Sequence, residues 1–332
     1  PFTDKDITVC NSIGIWFHHL AFLFYALCLM ILLAYTSFGD GSMGRGSACS
    51  DDNTNQNLDV CKLDEVLTDA KSDFRWLIAF VLAGYVGISV TQWAVRRQNY
   101  ASLCGNARNL NILIASFLPV DPENSDIMLT RRTMGRWVML AYELAVLKAR
   151  GHMDSEEGKN HLIALGLLDE TDPHGEWDAM VTGDRHSTIF WWLQLRLVDL
   201  DRQNILKPHH LQIICMSVCK MRAMANDLMS SLDRDKPFPY TALCGLLVYI
   251  NILIMSTWKG VTWSIWYFSY GPDLFRQPRI WVDMLVLLFW NISYAALYDL
   301  GYMLHNPFGP RRIDVAHETI SSGIRTLSSS LA

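Results

Sequence analysis

The chain has 332 residues, 51% of them apolar and 18% charged, and its 28 Lys and Arg against 33 Asp and Glu give a formal net charge of −5. That balance excludes a polyanion-binding protein, so nucleic acid is no partner. A mean hydropathy of +0.14 excludes a disordered chain. The eight cysteines include no C-x-x-C pair and exclude a disulfide scaffold at this length.

Four stretches of the length needed to cross a ~30 Å hydrocarbon layer are nearly free of charge. They are Ile13 to Tyr35, Leu77 to Val95, Tyr240 to Trp258 and Ile280 to Leu304, and the first three contain no Asp, Glu, Lys or Arg. A soluble helix must show water one polar face, and these show none. They are predicted membrane spans. Residues 1–95 then hold the first two spans, with an acidic loop over 36–74 that carries Asp40, Asp51, Asp52, Asp59, Asp64 and Glu65.

Residues 96–239 read as a soluble helical region. Leu211, Cys215, Val218, Met221, Ala225, Leu228 and Leu232 recur every three or four positions. Thr133 to Leu147 and Thr188 to Leu200 read similarly. Residues 240–304 hold the third and fourth spans. Between those spans Trp258, Trp263, Trp266, Tyr267 and Tyr270 predict a short interfacial helix ended by Gly271 and Pro272. Asp283 and Asp299 lie near the two ends of the fourth span, where each either reaches the interface or serves as an intramembrane functional group. Residues 305–332 form a tail. With no strand pattern and no internal repeat, the fold class is an all-α membrane protein.

Arg96 and Arg97 follow the second span directly, so the positive-inside tendency places the helical region and both termini on the cytosolic or stromal side of a plasma or plastid membrane. The acidic loop then faces outward, where Cys49 and Cys61 either form a disulfide or remain thiols.

Chemical motifs are sparse. Gly39, Gly41 and Gly44 satisfy G-x-G-x-x-G but follow a span and not a strand. The adjacent pairs His18 with His19 and His209 with His210 point in diverging directions and make no ligand set. Cys215 and Cys219 sit in an apolar stripe and read as buried small hydrophobes. No nucleophile and base pair emerges from spacing, so the chain is not expected to be an enzyme, to bind metal, or to hold a cofactor. In the second span Trp76, Phe80 and Gly84 fall at i, i+4 and i+8, with Gly87, Ser89, Thr91 and Gln92 as small and polar positions. Such a face packs on another helix or lines water.

Several segments together resemble the bestrophin family, in a divergent form like those of algae and protists. Ala79-Phe80-Val81-Leu82, Tyr85-Val86 and Thr91-Gln92-Trp93 are similar to the family's second span. Leu129 to Thr133 resembles its Leu-x-Arg-Arg-Thr. Leu211-Gln212, Met221-Arg222 and Pro237-Phe238-Pro239-Tyr240 fit the approach to the third span. Asn306-Pro307-Phe308-Gly309 after the last span is the most specific match.

The resemblance implies a homopentamer, each chain with four further copies of itself as partners in a lipid bilayer. Its central pore would pass chloride, bicarbonate or similar small inorganic anions passively. The hydrophobic neck falls on Trp76, Phe80 and Gly84, with Gly87, Thr91 and Gln92 as polar lining and His209 at a lower cytosolic aperture. Aromatic edges at Phe80 would favour partly dehydrated anions. A ring of imidazoles at His209 would draw anions in on acidification, against the alternative of a solvated surface histidine. Gly84 stands where animal members carry an aromatic residue, which predicts a wider neck.

Pro310, Arg311, Arg312, Ile313 and Asp314 replace the acidic run of animal bestrophins, which predicts no Ca²⁺ clasp of that kind. Bacterial members of the family prefer cations, and the acidic loop fits that alternative. Another is an effector module fused to a sensor such as a rhodopsin domain, with Pro1 marking a domain cut. A non-conducting membrane scaffold is the third.

Overall fold

A bilayer interior offers no water to backbone N–H and C=O groups, so an uncharged stretch long enough to cross it closes its hydrogen bonds within itself as a helix. A computed structural model describes residues 13–38, 57–118, 125–168, 175–233, 238–304, 307–308 and 315–331. Four of its helices are long and apolar enough to cross a membrane: α1 (Ile13–Phe38), α2 (Asn57–Phe117), α8 (Phe238–Tyr270) and α9 (Pro278–Met303). Between α2 and α8 come α3 (Ser125–Arg150), α4 (Glu156–Ala164), α5 (Glu176–Ala179), α6 (Arg185–Arg202) and α7 (Pro208–Asp233). A 3-10 helix, Gly271–Arg276, joins α8 to α9, and α10 (His317–Leu331) comes last. No strand occurs among the described residues. The described residues fall into two compact units, 13–90 with 238–304, and 91–233 with 307–331.

In the first unit α1 packs along α8. Ala26 and Met30, one turn apart, are buried with Trp263, Leu274, Ile280 and Met284. Lipid tails are as apolar as leucine, so such helices associate where small residues let backbones approach. A Cβ on Gly260 would stand 2.9 Å from the Ala26 carbonyl oxygen, and one on Gly301 would stand 2.2 Å from the Tyr85 ring. That ring also stacks on Tyr298 with centroids 5.6 Å apart. Ile78, Leu82 and Tyr85 of α2 close a second cluster with Cys244, Val248 and Ile252 of α8.

Three features of this unit differ from the sequence reading. Residues 57–74, assigned to the acidic loop, are the start of α2, because they dock on α8: Thr262 Oγ1 donates to Asp64 Oδ1 at 2.9 Å, and Trp258 Nε1 to Thr68 Oγ1 at 3.0 Å. The aromatic segment after Trp258 is no separate interfacial helix but the end of α8, which continues until Gly271 takes a φ of +58°. Asp283, read from the sequence only as an acid near one end of the span, is paired inside the unit. Lys259 Nζ donates to both its oxygens at 2.7 Å and Trp263 Nε1 to one at 2.8 Å, the pairing a carboxylate needs away from water.

In the second unit α3 is the centre, and every residue from Val138 to Leu147 is buried. A helix enclosed on all sides is apolar all round, and Glu143 is the one charge in this run. Of the α7 stripe, Val218, Met221, Ala225 and Leu228 are buried, together with Ile214, while Leu211 and Leu232 are half-buried. Cys219, however, is exposed and accepts from Gln194 Nε2 at 3.4 Å, and Cys215 is only half-buried. Repeated steps of four residues drift about 40° each around a helix, which carries this pair off the buried line. Arg96 of α2 is buried and donates from Nε to the Ser231 carbonyl at 2.9 Å, meeting one of the free carbonyls at the end of α7.

His186 is 1% exposed and neither ring nitrogen makes a hydrogen bond, although Asp184 Oδ1 stands 3.4 Å from Nδ1. Burial, only partly offset by Asp184, pushes this imidazole down to about 4.

Two expectations follow for protein purified in detergent. Gly301→Ala should cost about 1–3 kcal/mol through the collision with Tyr85, seen as a lower Tm. Gly105→Ala, where nothing lies within 4 Å of the new Cβ, should lower it not at all. The unfolded imidazole titrates near 6.5 and the buried one near 4, so the second unit loses stability as pH falls through that interval. Thermal unfolding at pH 7.5 and 4.5 should show His186→Phe losing less than the wild type. Equal losses would locate the sensitivity elsewhere.

Candidate pore-lining face

α2 is an unbroken helix of 61 residues, about 90 Å long and far more than a bilayer requires. Asp69, Asp73, Trp76, Phe80, Gly84, Gly87 and Thr91 follow one another at steps of three or four, and all are exposed. Trp76 is 77% and Phe80 81% exposed, the extremes among large apolar side chains of the helix. On the opposite side Ile78, Leu82, Tyr85 and Ser89 are buried. In the later part of α2, Gln98, Gly105 and Asn109 are also exposed and uncharged.

The neck positions read from the sequence thus share one exposed line. A Cβ on Gly84 would lie 3.4 Å from the Tyr240 hydroxyl, in ordinary van der Waals contact. Ser89 belongs to the other face, since it is buried and its hydroxyl donates to the Tyr85 carbonyl at 2.7 Å. Gln92 is half-buried and lies about a third of a turn from the Phe80 line.

Asp69 and Asp73 were hidden from sequence reading by their assignment to a loop. Once the helix is continuous, their spacing of seven and eleven residues from Phe80 brings them onto its line. The positive side chains nearby point elsewhere. Lys71 Nζ lies 3.4 Å from the centre of the Trp258 ring, and the Arg75 guanidinium 5.6 Å from that of Trp290. Lys62, nearer the start of the helix, is exposed on the acidic line.

His209 is exposed at the start of α7, its ring 4.0 Å from that of His210. His210 stacks on Phe117 at 4.1 Å, and desolvation, then the neighbouring His209 and Lys207, lower its pKa. Pro307 and Phe308 are buried. The Pro307 carbonyl accepts from the Val315 N–H at 2.8 Å, and the Phe308 ring meets Tyr100 edge-on at 5.5 Å. Asn306, Gly309 and Pro310 to Asp314 lie outside the described residues, as do Cys49 and the glycine motif at Gly39, Gly41 and Gly44. Cys61 is disulfide-bonded, and the five other described cysteines are free. Among the described residues no group of three or more His, Cys, Asp or Glu is placed to hold a metal ion.

Searches against protein-family models and against curated proteins return no match. Solved structures do match. A bacterial bestrophin homologue from Klebsiella pneumoniae aligns over 96% of this chain and 98% of its own, at 14% identity and a TM-score of 0.67. A variant of that homologue with one Tyr-to-Ala substitution aligns over 95% and 98%, at 13% identity and a TM-score of 0.64. A further membrane protein with a Gly-to-Ala substitution gives 96%, 98%, 14% and 0.67. The fold is bestrophin-like, and with four spanning helices the chain is an integral membrane protein.

Proposed function

We propose that this protein is an ion channel of the bestrophin kind, built from five copies around a central pore lined by α2. The observation that carries the proposal is the exposed line on α2. Its largest aromatic side chains are uncovered within one chain, while the opposite face is fully packed. Cyclic symmetry would make each position on that line a ring. Trp76 and Phe80 then narrow the path, and Gly84 widens it one turn further in. The uncharged residues Thr91, Gln98, Gly105 and Asn109 would continue the path as a polar passage. The resemblance to bestrophins supplies the number five and the preference for chloride-like or bicarbonate-like anions. Aromatic edges at Phe80 would stabilise a partly dehydrated anion without a fixed cation.

A second reading, cation preference, is favoured by one specific observation. Asp69 and Asp73 stand on the neck line while Lys71 and Arg75 are turned onto tryptophans. Rings of carboxylate at the outer mouth would concentrate cations there. His209 at the start of α7 suits a lower aperture, and fusion to a sensor domain would supply a gate.

Purified protein in planar bilayers under a KCl gradient separates these readings. The anion reading expects reversal near the chloride potential, and reversal near the potassium potential would give preference to the cation reading. Asp69→Asn with Asp73→Asn should move reversal toward chloride in either case. Gly84→Phe should cut single-channel conductance by about half or more. Unchanged conductance would remove Gly84 from the pore.

A further inference from the structure

Glu143, at 1% exposure the one charge in the apolar run of α3, can stay ionised there only with partners on its oxygens. Both partners come from α10. His317 Nε2 donates to Oε2 at 2.8 Å and the Ser321 hydroxyl donates to Oε1. His317 and Ser321 are one turn apart and both buried.

The other ring nitrogen, Nδ1, lies 3.0 Å from the Tyr100 hydroxyl of α2 and 3.3 Å from that of Tyr142, and these hydroxyls are 2.7 Å apart. A hydroxyl both donates and accepts, so the network is satisfied whether or not Nδ1 carries a proton. It is not satisfied without Glu143. At the far end of α10, Arg131 of α3 donates from Nε to the Leu331 carbonyl at 3.0 Å, with a second bond from Nη2. Only 15 residues long and rich in serine, α10 is too short to hold its helix unaided.

We propose that α10 is a strap closed by a buried latch, Glu143 on His317 and Ser321, and that opening the latch frees α10 from α2 and α3 and changes ion conduction while the rest of the unit stays folded. The conduction clause rests on the channel reading, because Tyr100 belongs to the helix that carries the exposed line.

Charge on Glu143 is what the latch uses. Burial pushes its carboxyl up, but the bond and charge from His317 and the bond from Ser321 outweigh this, so its pKa lies below the usual value. The latch contribution is therefore present above the ordinary carboxylate range and lost as pH falls through the depressed value. From α4, His161 Nε2 also faces Glu143, at 4.0 Å. Burial lowers its pKa against the raising charge of Glu143, with Arg150 and His317 lowering it further and Glu318 raising it. Cys104 of α2 completes the surroundings, its sulfur 3.3 Å from the Tyr142 hydroxyl.

Hydrogen exchange by mass spectrometry on the full chain in lipid nanodiscs at neutral pH tests the latch directly. Glu143→Leu should speed exchange in α10 by about tenfold or more, and the milder Ser321→Ala by about fivefold, with α3, α6 and α7 protected as in the wild type. Wild-type protection of α10 in both variants, or loss of protection throughout the unit, would overturn the latch. In bilayers the Glu143→Leu current should differ from the wild type in open probability. Identical currents would overturn the conduction clause. A wild type that passes no ion under any gradient would sink the channel reading and that clause together, while the exchange result judges the latch on its own.

Discussion

The rotation of α2 about its own axis is the constraint on which the rest depends. No proline interrupts α2 before Val90, and a helix without a break carries one register through that stretch. Tyr85 fixes that register. Its ring fills the space that Gly301 leaves open and stacks on Tyr298. With Tyr85 turned inward, Trp76, Phe80 and Gly84 must turn outward, and the carboxylates of Asp69 and Asp73 must join their line. The pore reading thus reduces to a packing fact about one tyrosine and one glycine.

Buried charge supplies the second level of specification. Asp283 is held by Lys259 and Trp263, and Glu143 by His317 and Ser321. Apolar packing alone tolerates small rotations and slides, whereas a buried ion pair left with one member costs about 3–5 kcal/mol. Each pair therefore selects one arrangement of the helices it joins. Arg131 illustrates the use of a charge against the backbone: the arginine of the Leu-x-Arg-Arg-Thr segment ends on the Leu331 carbonyl.

The four spans were legible because lipid forbids charge, and α1 and α9 begin and end within a few residues of the uncharged stretches. α2 and α8 were misjudged for the same reason. Both run on past the uncharged stretch, α2 into ordinary amphipathic composition and α8, after Lys259, into an aromatic-rich segment that reads as a separate helix. The spacing of Trp76, Phe80 and Gly84 identified a face, but periodicity alone does not say which face meets a neighbour. Ser89, one of the small and polar positions of that span, lies on the packed side and not on the exposed line. Glu143 left a signal that went unused, a lone acid within ten residues of apolar helix. Its partners on α10 are 174 residues away or more, beyond the reach of any local pattern.

The account stands or falls on whether the exposed line of α2 meets water inside the membrane. Cysteines placed singly from Asp69 to Thr91, in a background without accessible thiols, can be treated with a membrane-impermeant thiol reagent in sealed vesicles. Rapid modification at positions 69, 73, 76, 80, 84, 87 and 91, with slow modification at 78, 82, 85 and 89, is the predicted result. Uniformly slow modification between 76 and 87 would mean that the line faces lipid or protein, and would contradict the account.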